Sequence, residues 1–276
     1  MIVQRTQYLE KIEKLFRIHK AVALLGARQC GKTTLARMYA RSLPNQEHIH
    51  IFDLENPVDL ERLQNPMTLL GQLSGLIVID EIQRRPELFP ILRVLLDDDS
   101  LHQRYLLLGS ASRDLIKQSS ETLAGRIAYE EVYPFSLLEV HDREKLFLRG
   151  GFPNSYLAED DEESSSWRGN YIRTYLEQDI PSLGINIPPV TMRRFWMMLT
   201  HYNGGIFNAS DLALSMGLSD KTVKHYLDIL VGTFMIRQLP PWFANIKKRQ
   251  VKRPKIYFRD SGIFHYLLGL ENAKAL

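Results

Sequence analysis

Residues Gly26-Ala27-Arg28-Gln29-Cys30-Gly31-Lys32-Thr33 follow the apolar run Ala21-Val22-Ala23-Leu24-Leu25 and open a segment, Thr34 to Tyr39, with helical character. The order Gly-x4-Gly-Lys-Thr is that of a phosphate-cradling loop, and it demands a strand, a tight glycine turn and a helix in succession. Glycines let the backbone curl until its N–H groups converge on a polyphosphate at the positive end of the helix. On this reading Gly26, Ala27, Arg28, Gln29, Cys30, Gly31, Lys32, Thr33 and Thr34 hold a nucleotide. Lys32 meets the β- and γ-phosphates, and the Thr33 hydroxyl is a Mg²⁺ ligand. A chance match in a chain of this length arises on the order of one time in a hundred. The strand before it and the helix after it weigh further against a bare glycine turn.

The 276 residues suffice for two ordinary domains with substantial cores. A hydrophobic share of 45% and a charged share of 24% exclude disordered and fibrous classes. No apolar run approaches the roughly 18 residues a membrane helix needs. Met1 to Phe16 is charged throughout and has neither an h-region nor a small-residue cleavage site, so a cytoplasmic address and no membrane partner are expected. Cys30 is the only cysteine, which excludes an intramolecular disulfide and a cysteine-based metal site. Within the loop it reads either as a thiol perturbed by the helix terminus or as a small space-filler beneath the backbone. The net charge of +3 is too small to announce a nucleic-acid binder by itself.

Tyr8 to His19 carries apolar side chains at helical spacing ahead of the first strand. His48 to Asp53 alternates like a strand edge. Leu76-Ile77-Val78-Ile79-Asp80-Glu81 is an apolar run ending in two carboxylates, the pattern of a strand buried on both faces. Beside a phosphate loop the first carboxylate, Asp80, is placed to hold Mg²⁺, and the second, Glu81, to polarise the attacking water. Glu87 to Leu96 reads as a helix and Tyr105-Leu106-Leu107-Leu108-Gly109-Ser110 as another buried strand capped by polar residues, with Ser110 positioned to sense a γ-phosphate. A helix over Leu115 to Leu123 and a strand over Ile127 to Val132 complete this half.

This succession resembles the AAA+ superfamily of ATPases. More narrowly, GARQCGKTTL (Gly26 to Leu35), VIDEIQ (Val78 to Gln83), LLLGSAS (Leu106 to Ser112), LAGR (Leu123 to Arg126), YPFSLLE (Tyr133 to Glu139) and GGFP (Gly150 to Pro153) resemble a prokaryotic group of AAA-family ATPases. The second half of that group is an uncharacterised domain, DUF4143. The resemblance implies ATP and Mg²⁺ as ligands, Walker B at Asp80-Glu81 and sensor 1 at Ser110. It also places Arg126 where an arginine finger acts in trans, which would require a homo-oligomer. Arg126 equally suits the end of a helix, where it meets the dipole. Arg113 is a rival finger, and Arg28 either shapes the loop or meets a neighbouring subunit. The group has valine where Cys30 stands, and its chains run on for roughly a hundred residues more, so this chain reads as a short variant or a truncated one.

In the second half, Glu159 to Ser166 reads as an exposed acidic loop at a domain boundary. Trp167 to Gln178 reads as an amphipathic helix stopped at Pro181, its aromatics core rather than a base-stacking platform, and Arg193 to Tyr202 as another helix. Asn208 caps a helix over Ala209 to Met216, Gly217-Leu218 turns, and Ser219 caps a second helix, which is helix-turn-helix geometry. Lys221, Lys224 and His225 project outward from the second helix, and Lys247, Lys248, Arg249, Lys252, Arg253 and Lys255 crowd into nine residues before the strand-like Ile256-Tyr257-Phe258. Together these suggest a winged helix whose basic wing contacts DNA backbone, or one that serves as a lid or protein-docking module.

The expected architecture is therefore α/β: a P-loop NTPase domain, AAA+-like with a parallel sheet, over 1–158, an acidic linker and helical segment over 159–205, and a winged-helix domain over 206–276. The expected activity is Mg²⁺-dependent ATP hydrolysis by Glu81, Lys32, Ser110 and Arg126, with Thr33 and Asp80 on the metal. A nucleotide-gated DNA-binding module and a scaffold ATPase docking a protein are the alternatives.

Overall fold

The computed structural model describes residues 2–44, 48–110, 122–241, 253–272 and 274–275. The chain divides into two compact units, Ile2–Tyr133 and Pro134–Leu276.

In the first unit, helix α1 (Thr6–Phe16) precedes β1 (Ala21–Leu25), α2 (Lys32–Ser42), β2 (Ile49–Asp53), α3 (Pro57–Arg62) and α4 (Pro66–Gly71). Then come β3 (Gly75–Asp80), a 3₁₀ turn over Ile82–Arg84, α5 (Leu88–Asp97), β4 (Gln103–Gly109) and β5 (Ile127–Glu131). The five strands are parallel in the order β2-β3-β4-β1-β5. Helices on the faces of such a sheet bury its inner strands on both sides, which is why β1 and β4 are near-continuous apolar runs. All five residues of β1 are buried, whereas β2, on the edge, leaves Ile51 38% exposed. Ala21 pairs in register with Tyr105 and with Ile127, so the loops after β1, β3 and β4 leave one end of the sheet together. That end is where ligands bind in open parallel sheets.

The unit boundary lies earlier than the expected residue 158, because residues 134–158 are tied into the second unit. Phe135 N donates to Gly151 O at 2.7 Å, and Gly151 N to the buried carboxylate of Asp260 at 2.7 Å. This unit holds α6 (Arg143–Arg149), α7 (Pro153–Tyr156), α8 (Asp161–Thr174), α9 (Ile180–Ser182), α10 (Pro189–Leu199), α11 (Ala209–Met216) and α12 (Asp220–Gly232). Strands β6 (Ile236–Leu239) and β7 (Lys255–Phe258) pair antiparallel, and α13 (Ser261–Leu267) follows.

The acidic stretch is not a loop. Asp160 accepts from Glu163 N and caps α8, and Asp161, Glu162 and Glu163 occupy its first turn, where negative charge offsets the positive helix end. Nor does Pro181 stop the helix: a π turn over Tyr175–Asp179 widens the spiral before it, and helical backbone resumes at Ile180. Trp167, Tyr171 and Tyr175 stack in sequence and Tyr175 meets the buried Trp196 at a tilt, as expected of core aromatics. The turn from α11 to α12 follows its sequence signals closely. Asn208 accepts from Ser210 N, Gly217 takes φ 69°, and Ser219 accepts from Thr222 N. Val223, Tyr226, Leu227 and Leu230 are buried, and Lys221, Lys224 and His225 exposed. Among the described residues no helix is long and apolar enough to cross a membrane.

Arg168 is fully buried, donating to the carbonyls of Ser164 at 3.2 Å, Leu148 at 2.9 Å and Gly262 at 3.2 Å. It joins α8 to the end of α6 and the start of α13. Arg168→Met keeps the stem and leaves those carbonyls without their donor, so a loss of about 3 kcal/mol is expected. All three tryptophans, at 167, 196 and 242, come after residue 134 in the sequence. Urea unfolding followed by tryptophan fluorescence measures that loss directly.

Candidate nucleotide site

The loop between β1 and α2 is built by close backbone approach. A Cβ on Gly26 would meet Val132 O at 2.2 Å and Cys30 Sγ at 3.0 Å, so only glycine fits. Gln29 and Gly31 have φ 61° and 97°, and these left-handed residues curl the loop before α2 begins at Lys32. Cys30 is fully buried with Sγ 3.4 Å from Val132 O, which favours the space-filling reading over a reactive thiol. Lys32 is also buried, and its ammonium donates to Gly26 O and Ala27 O at 2.9 Å each.

Thr33, one residue into α2, donates its hydroxyl hydrogen to Asp80 Oδ2 at 2.6 Å. Asp80 is the last residue of β3 and is 6% exposed. Burial raises its carboxyl above the usual carboxylate range and the neighbouring Glu81 charge adds to this, while the Thr33 hydroxyl and the Lys32 ammonium pull the other way. Two oxygens from different elements, one hydroxyl and one buried carboxylate, form a hard donor pair suited to Mg²⁺.

Glu81 adopts φ 54°, ψ 44°, a left-handed conformation that turns the chain from β3 into the 3₁₀ turn. Ser110 Oγ donates to Glu81 Oε2 at 3.1 Å. The pairing order explains how two residues 29 apart meet: β4 lies between β3 and β1, so Ser110 leaves the sheet between the carboxylates and the loop. Asp80, Glu81, Ser110, Lys32 and Thr33 thus share one end of the sheet.

Arg126 does not join them. It precedes β5, at the end of the sheet away from the loop, and forks onto Asp97 with Nη2 to Oδ2 at 2.9 Å. Its Nη1 donates to Ala124 O at 3.0 Å. Arg28 pairs with Glu55 at 3.3 Å, and Arg84 meets the same carboxylate at 3.1 Å. Lys221, Lys224, Arg253 and Lys255 are exposed on the second unit. Lys247, Lys248, Arg249, Lys252 and Arg113 lie outside the described residues.

Two contributors carry no motif. Arg5 is 3% exposed and bridges Cys30 O at 3.2 Å to Tyr133 O at 2.7 Å, bracing the loop from behind. Gln83 donates to Glu81 and to Ser110. Arg5 had no sequence signal beyond a charge ahead of the first helix. Gln83 lay in the VIDEIQ string with no role attached.

Residues 18–141 match a family model described as an AAA domain. Taken with the strand order and the loop, this settles the fold. The first unit has a P-loop NTPase fold. Residues 140–274 match a model described as a domain of unknown function, DUF8612, where DUF4143 was expected. The P-loop chain is 46% identical over its full length to the uncharacterized proteins Rv2008c of Mycobacterium tuberculosis and Mb2031c of Mycobacterium bovis. It spans 62% of the length of each. Among solved structures, the Walker-type ATPase PABY2304 of Pyrococcus abyssi superposes with a TM-score of 0.67 at 17% identity, covering 97% of this chain and 96% of that one.

Arg5→Met removes two charge-assisted hydrogen bonds behind the loop, with an expected loss of about 3 kcal/mol and weaker nucleotide affinity. Arg126→Ala should leave the nucleotide affinity of a single copy unchanged, since its partner Asp97 is at the far end of the sheet. Thermal scans and titration with a fluorescent nucleotide check both.

Proposed function

We propose that the first unit binds ATP with Mg²⁺ and hydrolyses it. One observation carries the reading: Thr33 Oγ1 lies 2.6 Å from Asp80 Oδ2 at the foot of the phosphate loop, with Glu81 held next to it by Ser110. The loop N–H groups and the amino end of α2 take the polyphosphate, and Lys32 leaves its loop carbonyls for the β- and γ-phosphate oxygens. Thr33 and Asp80 would hold Mg²⁺, and the ion would supply positive charge to offset that of the phosphates. Glu81 accepts a proton as water oxygen bonds to the γ-phosphorus and the bond to the β-phosphate bridging oxygen breaks. ADP leaves with that electron pair. Adenine as the base is supported by the AAA match over residues 18–141 and by the ATPase name of the superposed archaeal structure.

Arg126 acts in this reading only from a neighbouring copy, and assembly into a homo-oligomer is part of the proposal. The nucleotide state sets what the second unit presents. A second reading, in which that unit grips nucleic acid through a winged helix, is supported by the capped helices α11 and α12 joined at Gly217, by the pairing of β6 with β7, and by Lys221, Lys224 and His225 exposed on α12. Asp220 on the same face works against it. Backbone gripping would show as retention that falls steeply with salt.

Lys32→Ala is expected to abolish nucleotide binding. Glu81→Gln should bind ATP as wild type does while turnover falls at least about a hundredfold. Phosphate release by the purified chain and nucleotide titration separate these, and equal turnover in wild type and Glu81→Gln would overturn the assignment.

A further inference from the structure

Gln83 stands on the 3₁₀ turn two residues beyond Glu81, and its side chain folds back toward the end of β3. Its amide nitrogen donates to Glu81 Oε2 and lies 3.0 Å from Ser110 Oγ. Ser110 Oγ itself donates to the same carboxylate oxygen at 3.1 Å. One oxygen of Glu81 is therefore gripped by donors from two elements, the 3₁₀ turn and the end of β4. An ionised carboxylate fixes the sense of the amide, because the flipped rotamer would set two acceptor oxygens against each other.

With the nitrogen so assigned, Gln83 Oε1 is buried and has no hydrogen-bond partner among the described residues. A buried carbonyl oxygen without a donor is costly, and such atoms call for an explanation where they persist. Glu81 is held in a left-handed backbone conformation at the same spot. Strain of this kind survives where the surroundings over-determine it. A water molecule offers two hydrogens. Glu81 can accept one, and the Gln83 amide bonded to that carboxylate carries an acceptor unused among the described residues.

We propose that Gln83 orients the attacking water: its nitrogen fixes the Glu81 carboxylate, and its Oε1 accepts the second water hydrogen, leaving a lone pair free for the γ-phosphorus. The step rests on the reading of Glu81 as the base and adds no reactant. The new bond is water oxygen to γ-phosphorus, the broken bond is γ-phosphorus to the β-phosphate bridging oxygen, and the transferred proton ends on Glu81.

The test compares the full chain with Gln83→Met, which keeps the stem length, and with Gln83→Glu, which keeps the shape but loses the donor. Both should lower kcat at least about tenfold, with KM and affinity for a non-hydrolysable ATP analogue within about twofold of wild type. Affinity for ADP with aluminium fluoride and Mg²⁺, which mimics the γ-phosphoryl in flight, should fall by a similar factor. The double variant Glu81→Gln/Gln83→Met should turn over no more slowly than Glu81→Gln alone.

Wild-type kcat and unchanged aluminium fluoride affinity in Gln83→Met would overturn the proposal. A parallel loss of ATP-analogue affinity would also overturn it by making Gln83 a part of the nucleotide pocket. A wild-type rate in Glu81→Gln would remove the base assignment instead, and the aluminium fluoride comparison would then decide the role of Gln83 alone. A chain that binds no nucleotide would sink both readings.

Discussion

The 2.6 Å contact between Thr33 and Asp80 is the point on which the first unit turns. It crosses the sheet, because the strand ahead of the loop and the strand ending in Asp80 are separated by β4, roughly two strand spacings of 4.8 Å each. Only the first turn of α2, leaning over β4, spans that gap. The bond thus requires the strand order, the glycine turn and the helix start together. It also places a buried carboxylate, whose charged form is disfavoured by burial, where a cation and a hydroxyl both relieve it.

Polar groups are buried elsewhere for a different purpose. In the second unit Arg168 and Asp260 bond backbone groups, Arg168 to carbonyls and Asp260 to the N–H groups of Gly151 and Ile263. Each joins segments far apart in sequence whose backbone would otherwise be buried without partners. Gly262 allows this by its bareness, since a Cβ there would meet Arg149 O at 2.1 Å. These residues hold a mainly helical unit together, whereas Thr33, Asp80, Glu81 and Ser110 at the end of the first sheet bond one another.

Local signals were read well where the physics is local. The caps at Asn208 and Ser219, the left-handed Gly217 and the bounds of α11 follow from side chains bonding backbone two or three residues away. The acidic run at 159–166 was misread because like charges suggested solvation, while a helix terminus gives the same charges a favourable field. Pro181 was misread as a stop because a π turn, invisible to a 3.6-residue period, absorbs it. The placing of residues 134–158 is not legible in the sequence because Phe135 bonds Gly151 and Gly151 bonds the distant Asp260, pairings that no periodicity encodes.

By itself the sequence determined that Gly26 to Thr33 would form a tight glycine loop between a strand and a helix and that Asp80 and Glu81 would stand at the end of a buried strand, since spacing and residue type dictate those short-range geometries. Only the tertiary structure decided that β4 lies between β3 and β1, that Ser110 and Gln83 converge on Glu81, that Arg5 braces the loop, and that Arg126 pairs with Asp97 at the other end. Those outcomes depend on which distant segments pack side by side, a choice made by burial over the whole unit and not by any stretch of residues within it.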